Sequence, residues 1–152
     1  MPDSFNITTP TGGVSVANAT TKSVIGYNAP ATIRPLLGGY KVSVDDGAAT
    51  DDAIEVTVFR STTAGTATAN TPKLNDPGAQ AALGTAGHNY TVEPTKTDEI
   101  DRQVVPVAGG GIYEYTWPLG EEPRIPASGR VVIEVKTGAQ TRLVTAKLVI
   151  KE

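Results

Sequence analysis

The chain has 152 residues, with 13 Lys and Arg against 16 Asp and Glu, a formal net charge of −3 and no cysteine. That length fits one domain burying roughly two thirds of its unfolded surface, with no disulfide to help. The acidic balance and the lack of any Lys/Arg block exclude a nucleic-acid footprint. No segment approaches the roughly 18 apolar residues of a membrane span.

The opening residues, "MPDSFNITTPTGG", have neither a basic start nor a long apolar run, so no secretory leader is expected. Zero Cys suits folding in a reducing cytoplasm. Within them "SFNITT" alternates Phe5 and Ile7 against polar neighbours before Pro10 and the Gly12-Gly13 pair break the run. Residues 1–13 therefore read as an extended N-terminal arm ahead of a domain covering 14–152. Residues 14–18 and "KSVIGY" (22–27) read as strands, while Pro30 and Pro35 confine "ATIR" to an edge or a loop. Tyr40, Val42 and Val44 share one face of the next strand. In "AIEVTVFR" Ile54, Val56 and Val58 point inward, opposite Glu55, Thr57 and Phe59.

A long excursion rich in Thr, Ala, Pro and Gly then runs over about 61–97, with "TATANTPKLNDPG" at its centre. It reads as irregular, apart from "AQAAL" (79–83), which suits a single helical turn near Asp76 and Pro77. The strand pattern resumes in "DEIDRQVVPVA", where Pro106 marks an edge or bulge. "GGGIYEYTWP" follows, with Tyr113, Tyr115 and Trp117 on one face. "GRVVIEVKTG" buries Val131, Ile133 and Val135, because the opposite register would pair Val132 with Glu134. "TRLVTAKLVIKE" ends the chain with Val144, Ala146, Leu148 and Ile150 on one face. Eight to ten strands and no 3.6-residue stripe give an all-β, single-domain antiparallel sandwich, jelly-roll-like; periodicity alone does not choose between sandwich topologies.

Candidate chemistry is sparse. His88, the only histidine, sits in "TAGHNYT" with no second His, no Cys and no orienting partner nearby, so it reads as a surface-loop residue. "DDGAATDD" gathers Asp45, Asp46, Asp51 and Asp52 around Gly47. Such a loop can offer several calcium oxygens, but its spacing is not that of an EF-hand, and a hairpin turn before Ile54 explains the same residues. Glu121 and Glu122 are adjacent, so their side chains diverge and do not form the carboxylate pair of a glycosidase. Gly109, Gly110 and Gly111 have no Lys-Ser/Thr after them and read as a turn, not a phosphate cradle. The aromatic face of "IYEYTWP" reads as half of the core; were it exposed, it would suit a sugar platform or a subunit interface. These residues point away from an enzyme and to no metal or cofactor.

Two stretches taken together carry a resemblance. The first is "DDAIEVTVFRSTTAGTATANTPKLNDPGAQAALGTAGHNYTVEPT" (51–95). The second is "GGIYEYTWPLGEEPRIPASGRVVIEVKT" (110–137). Their order is a strand, a Gly-Thr-Ala excursion ending in "EPT", an aromatic strand ending in Trp, a Pro…Ile-Pro…Gly turn and a final hairpin. From about Tyr40 onward this resembles small virion structural proteins of tailed bacteriophages, in pattern and order more than in any invariant motif. The resemblance implies a head decoration, or cement, protein on the outer capsid surface. Its partner would be the major capsid protein, its state a homo-oligomer with a trimer favoured, and its site of synthesis the host cytoplasm; no catalytic residue carries over. Two readings of the excursion stay open: it packs across a subunit boundary or onto the capsid, or it folds back on its own sandwich as an Ω-like loop. On the first, Thr71, Pro72, Leu74 and Pro77 are interface residues, and Phe5 and Ile7 of the arm add a strand to a neighbour. The alternative function is a carbohydrate-binding or adhesin module of a tail assembly, using Tyr113, Tyr115 and Trp117.

Overall fold

The computed structural model describes residues 3–152, which form twelve strands and no helix. In chain order they are β1 (Ser4–Thr8), β2 (Val14–Val16), β3 (Thr21–Asn28), β4 (Leu36–Val44), β5 (Ile54–Ser61), β6 (Thr66–Asn70), β7 (Lys73–Leu74), β8 (Thr85–Val92), β9 (Lys96–Val105), β10 (Ile112–Thr116), β11 (Arg130–Lys136) and β12 (Arg142–Lys151). One sheet has the order β10-β4-β12-β1-β7, with β2 also on β12; the other has the order β6-β8-β3-β11-β5-β9. All the strand ladders are antiparallel, and the two sheets face each other across one core.

Alternation places that core. The inward residues expected on β4, β5, β11 and β12 are all buried in a single cluster between the sheets, from Tyr40, Val42 and Ile54 to Leu148 and Ile150. Side chains of period two from both inner faces interdigitate there. Phe59 does point the other way, as its position in β5 requires, yet it is also buried, in a second cluster with Val132 and Tyr90 on the outer face of the β11 sheet. Ala86 of β8 faces the main core, so Tyr90 would share its side in a regular strand. Asn89 breaks that parity with a φ of 51°, a conformation Asn tolerates better than most residues. Gly26 gives the ring room, since a Cβ there would lie 2.2 Å from the Tyr90 hydroxyl. Burial pushes the Tyr90 phenol up to about 12, with Glu93 adding to the rise against the opposing pull of Arg130.

Three expectations about the path of the chain need correction. The first is the arm. Residues 4–8 are β1, paired with β12 from Ser4↔Lys151 to Thr8↔Lys147. Thr9 continues along the same edge, donating its N–H to the Ala146 carbonyl (2.9 Å) and accepting the Ala146 N–H on Oγ1 (3.0 Å). β2 then pairs with residues 142–144 of β12. Phe5 and Ile7 are 1 % and 0 % exposed, and so are not presented to a neighbour. Their alternation was that of a strand with one buried face, and the Pro10 and Gly12-Gly13 break divides two pieces of one sheet edge.

The second correction is the excursion, about half of which is strand. β6 joins one sheet by pairing with β8, and β7 joins the other by pairing with β1. Between them Asn70 Nδ2 donates to the Thr8 carbonyl at 2.6 Å, so the chain steps from sheet to sheet and closes that flank of the sandwich. Residues 79–83 form no helical turn. They are drawn out by partners elsewhere. Asn75 N–H donates to Ser4 O (3.0 Å) and Gln80 N–H to Asp3 Oδ2 (3.3 Å). The N–H groups of Leu83 and Gly84 donate to the Glu152 carboxylate at 2.7 and 3.1 Å. The excursion folds on its own sandwich, but as strands added to both sheets and not as an Ω-like loop.

The third correction concerns residues 45–53. β4 and β5 lie in different sheets, so this loop is a crossing between sheets and not a hairpin.

Candidate functional site

The two flanks of the sandwich differ. On one, β6 and β7 seal the gap between the sheets. On the other, β9 and β10 end their sheets side by side, bridged below by Tyr40, whose hydroxyl donates to Asp101 Oδ2 at 2.6 Å.

On the open flank the turn of Gly109 and Gly110, with φ of 76° and 74°, feeds β10 as the sequence suggested. Gly111 is required by contact, since a Cβ there would lie 1.8 Å from the Pro106 carbonyl oxygen. β10 then pairs with β4 from Ile112↔Ser43 to Thr116↔Gly39. The aromatic face joins the core only in part, with Tyr113 and Trp117 packed against it. Tyr113 and Trp117 are half-buried and Tyr115 is 39 % exposed, because β10 is an edge strand. Tyr40 supports them from beneath, its ring centroid 5.7 Å from Tyr113 and 5.8 Å from Trp117, while Tyr115 meets Trp117 edge-to-face at 5.0 Å. Burial, reinforced by the hydrogen bond to Asp101, holds the Tyr40 phenol well above its ordinary range.

Facing this aromatic wall across a groove of about 330 Å³ are Ile100, Asp101 and Gln103 of β9. Asp101 Oδ1 accepts the Arg102 N–H (2.8 Å) and Gln103 Nε2 (3.1 Å). Sequence reasoning found Tyr113, Tyr115 and Trp117 but missed Asp101 and Gln103. The available signal was parity: counted back from buried Val105, both occupy inward positions with polar side chains.

On the closed flank Thr71 and Pro77 are exposed, and Pro72 and Leu74 half-buried. Leu83 and Val92, at 51 % and 57 %, expose apolar surface before and at the end of β8. From residue 61 to 92 the chain carries only Lys73 and Asp76 as charged residues, in a protein that is 19 % charged. Phe5 and Ile7 lie beneath this surface and contribute to it only by supporting β7, through Phe5↔Leu74.

The remaining candidates are occupied structurally. Asp45 Oδ1 accepts Leu143 N–H (3.0 Å), Asp46 Oδ1 accepts Gly109 N–H (2.8 Å) and Asp52 Oδ2 accepts Ala139 N–H (3.1 Å). Asp51 pairs with the buried Arg142, which holds its carboxyl below the usual range. Four carboxylates thus fasten four different neighbours and do not converge on a calcium-sized cage; no group of three or more potential ligands converges among the described residues. Glu122 is paired with Lys151 at 2.7 Å, which lowers its carboxyl, while Glu121 is exposed. His88 stands within β8, not in a loop, opposite Ile25 and Thr68, and its buried Nδ1 has no protein partner among the described residues.

What the fold and surfaces define is an all-β sandwich with one flank sealed by a charge-poor segment and one grooved, aromatic flank. No family model matches the chain, and no curated protein matches its sequence.

Proposed function

We propose that this is a non-enzymatic structural protein of a tailed-bacteriophage virion, a head decoration or cement protein. It binds the outer capsid surface as an oligomer and stabilises the shell. The observation that carries the reading is the closed flank: a surface from residue 61 to 92 with two charged residues, presenting Thr, Ala and Pro with Leu83 and Val92 exposed. Depletion of charge is what distinguishes the centre of a protein–protein interface from ordinary surface. The resemblance of residues 51–95 and 110–137 to virion proteins supports the same role. So does the strand order, which we read as a jelly roll with β1 and β2 together as its first strand and β6, β7 and β8 inserted between its fourth and fifth, an architecture used in viral shells.

The partners are the major capsid protein and further copies of this chain, with a trimer favoured. Each exposed apolar side chain adds modestly, since burying one in full is worth roughly 1.5–3 kcal/mol. Affinity for the shell would come from several copies engaging together. Thr71, Pro72, Leu74 and Pro77 lie on this face, whereas Phe5 and Ile7 do not.

Light scattering after size exclusion, followed by co-sedimentation with shells of the cognate capsid protein, tests the reading. The expected mass is three times the 15.7 kDa of one chain. Replacing Thr71→Lys and Leu83→Glu together should abolish shell binding and leave the melting temperature nearly unchanged. Undiminished binding by that double variant would refute the assigned face, and no binding of the wild-type chain to cognate shells would refute the function.

A further inference from the structure

We infer that the groove between β9 and β10 binds a neutral saccharide. This is independent of the shell reading and concerns the opposite flank. A pyranose ring presents an apolar face of C–H bonds and a rim of hydroxyls. The groove presents the complementary pair of walls. β10 supplies Tyr113, Tyr115 and Trp117; β9 supplies Asp101 and Gln103. Its volume, about 330 Å³, lies at the lower end of small-molecule sites, and its accessible lining is mostly polar, which suits the hydroxyl rim of a sugar.

The polar wall is held in place before any ligand arrives. Asp101 is anchored by the buried Tyr40 hydroxyl and the Arg102 backbone N–H, and it in turn accepts one Gln103 N–H. The Gln103 side-chain carbonyl and its second N–H have no other protein partner among the described residues, which leaves an acceptor and a donor for adjacent hydroxyls. The aromatic wall is held by the rings packed on Tyr40. A ligand would therefore order little of the site itself.

Charge selects within the sugars. No cation lines the groove. Arg102 is turned to Glu99 and Glu55, and Lys41 to Glu114. An anionic sugar would meet Asp101 without a compensating partner, whereas a neutral one meets only hydrogen-bonding groups and ring faces.

Trp117 is the only tryptophan, so intrinsic fluorescence reports on this groove directly. The full chain is titrated with maltose, lactose, cellobiose and chitobiose to tens of millimolar, with sialyllactose as the anionic comparison. Saturation-transfer NMR on the same samples gives a second readout. At least one neutral disaccharide should shift the emission saturably and receive saturation transfer. Tyr115→Ala should weaken that binding about two- to tenfold, the size of one aromatic contact, and Gln103→Ala should weaken it too. The inference is overturned if no neutral sugar gives a response by either method, if only sialyllactose binds, or if both variants bind as the wild type does.

Discussion

Ile7→Ala separates a core strand from a detachable arm. Ile7 is fully buried in the main cluster, opposite Leu148 on β12. Truncation removes three carbon atoms at ~0.8 kcal/mol each and leaves a cavity, so the expected loss is ~2–5 kcal/mol. For a domain of this length each kcal/mol lowers the midpoint by about 2–4 °C, which predicts a fall of roughly 4–20 °C. Differential scanning calorimetry of the isolated protein measures it, with Ile7→Val as the graded control at ~0.5–1.5 kcal/mol. An arm exchanged with a neighbour gives a different result: the isolated chain would melt as before, and only assembly would suffer. A midpoint within about 2 °C of wild type, together with lost oligomerisation, would refute the placement of β1 in its own sheet.

Two further outcomes follow from the groups that fasten the loops. Glu152→Ala removes the acceptor of the Leu83 and Gly84 N–H groups and leaves the buried Tyr27 hydroxyl without its partner. It should cost ~1–3 kcal/mol and raise amide exchange at 83–84 and protease nicking within 75–84. Unchanged exchange there would show that this carboxylate does not hold the loop. For acid, the carboxyls of Asp51 and Glu122 are lowered in the folded state, chiefly by hydrogen bonds from Arg142 and Lys151. The unfolded chain then binds more protons, so their stabilisation is full above the unfolded value near 4 and fades as pH falls through the folded values. Melting temperature should drop below about pH 4, with Asp51→Asn flattening part of that drop; identical acid profiles for variant and wild type would discount the Arg142 pair.

The strands that bury Val and Ile were legible in the sequence, and those made of Thr, Ala and Gly were not. In β4, β5, β11 and β12 one face meets the core, so hydrophobicity alternates and register follows. β6 has a pattern of exposed and half-buried positions only, and its Thr-Ala run gives no contrast between faces. β7 is two residues long and is specified by pairing with β1, some seventy positions away. Asn89 explains why the outer cluster was hidden: a single left-handed residue changes the side on which Tyr90 lies, and period-two reading carries the old parity forward. The groove was half legible. The aromatic wall is contiguous in β10, whereas its polar partners lie in β9 on another sheet, and strand patterning does not show that the two edges face each other across Tyr40 and Asp101.

The edges of the sheets bear on how the proposed partners would be met. A free strand edge invites another strand, and natural sheets blunt such edges with charge, shortness or a covering segment. β9 carries Lys96, Asp98 and Arg102, tied to Glu134, Arg60 and Glu55, with Glu99 on Arg102, in ion pairs that a pairing strand would disturb. β10 is five residues long, bounded by Gly109–Gly111 before it and Pro118 soon after. On the closed flank β6 and β7 serve as short terminal strands, and β7 continues into residues held to Ser4 and Asp3. Strand addition is therefore disfavoured on both sides. Contacts with the proposed shell or sugar would fall to side chains: small uncharged ones over the excursion, and aromatic and amide groups in the groove. The excursion sets this division, because sealing one flank with residues of low charge leaves the groove to the other.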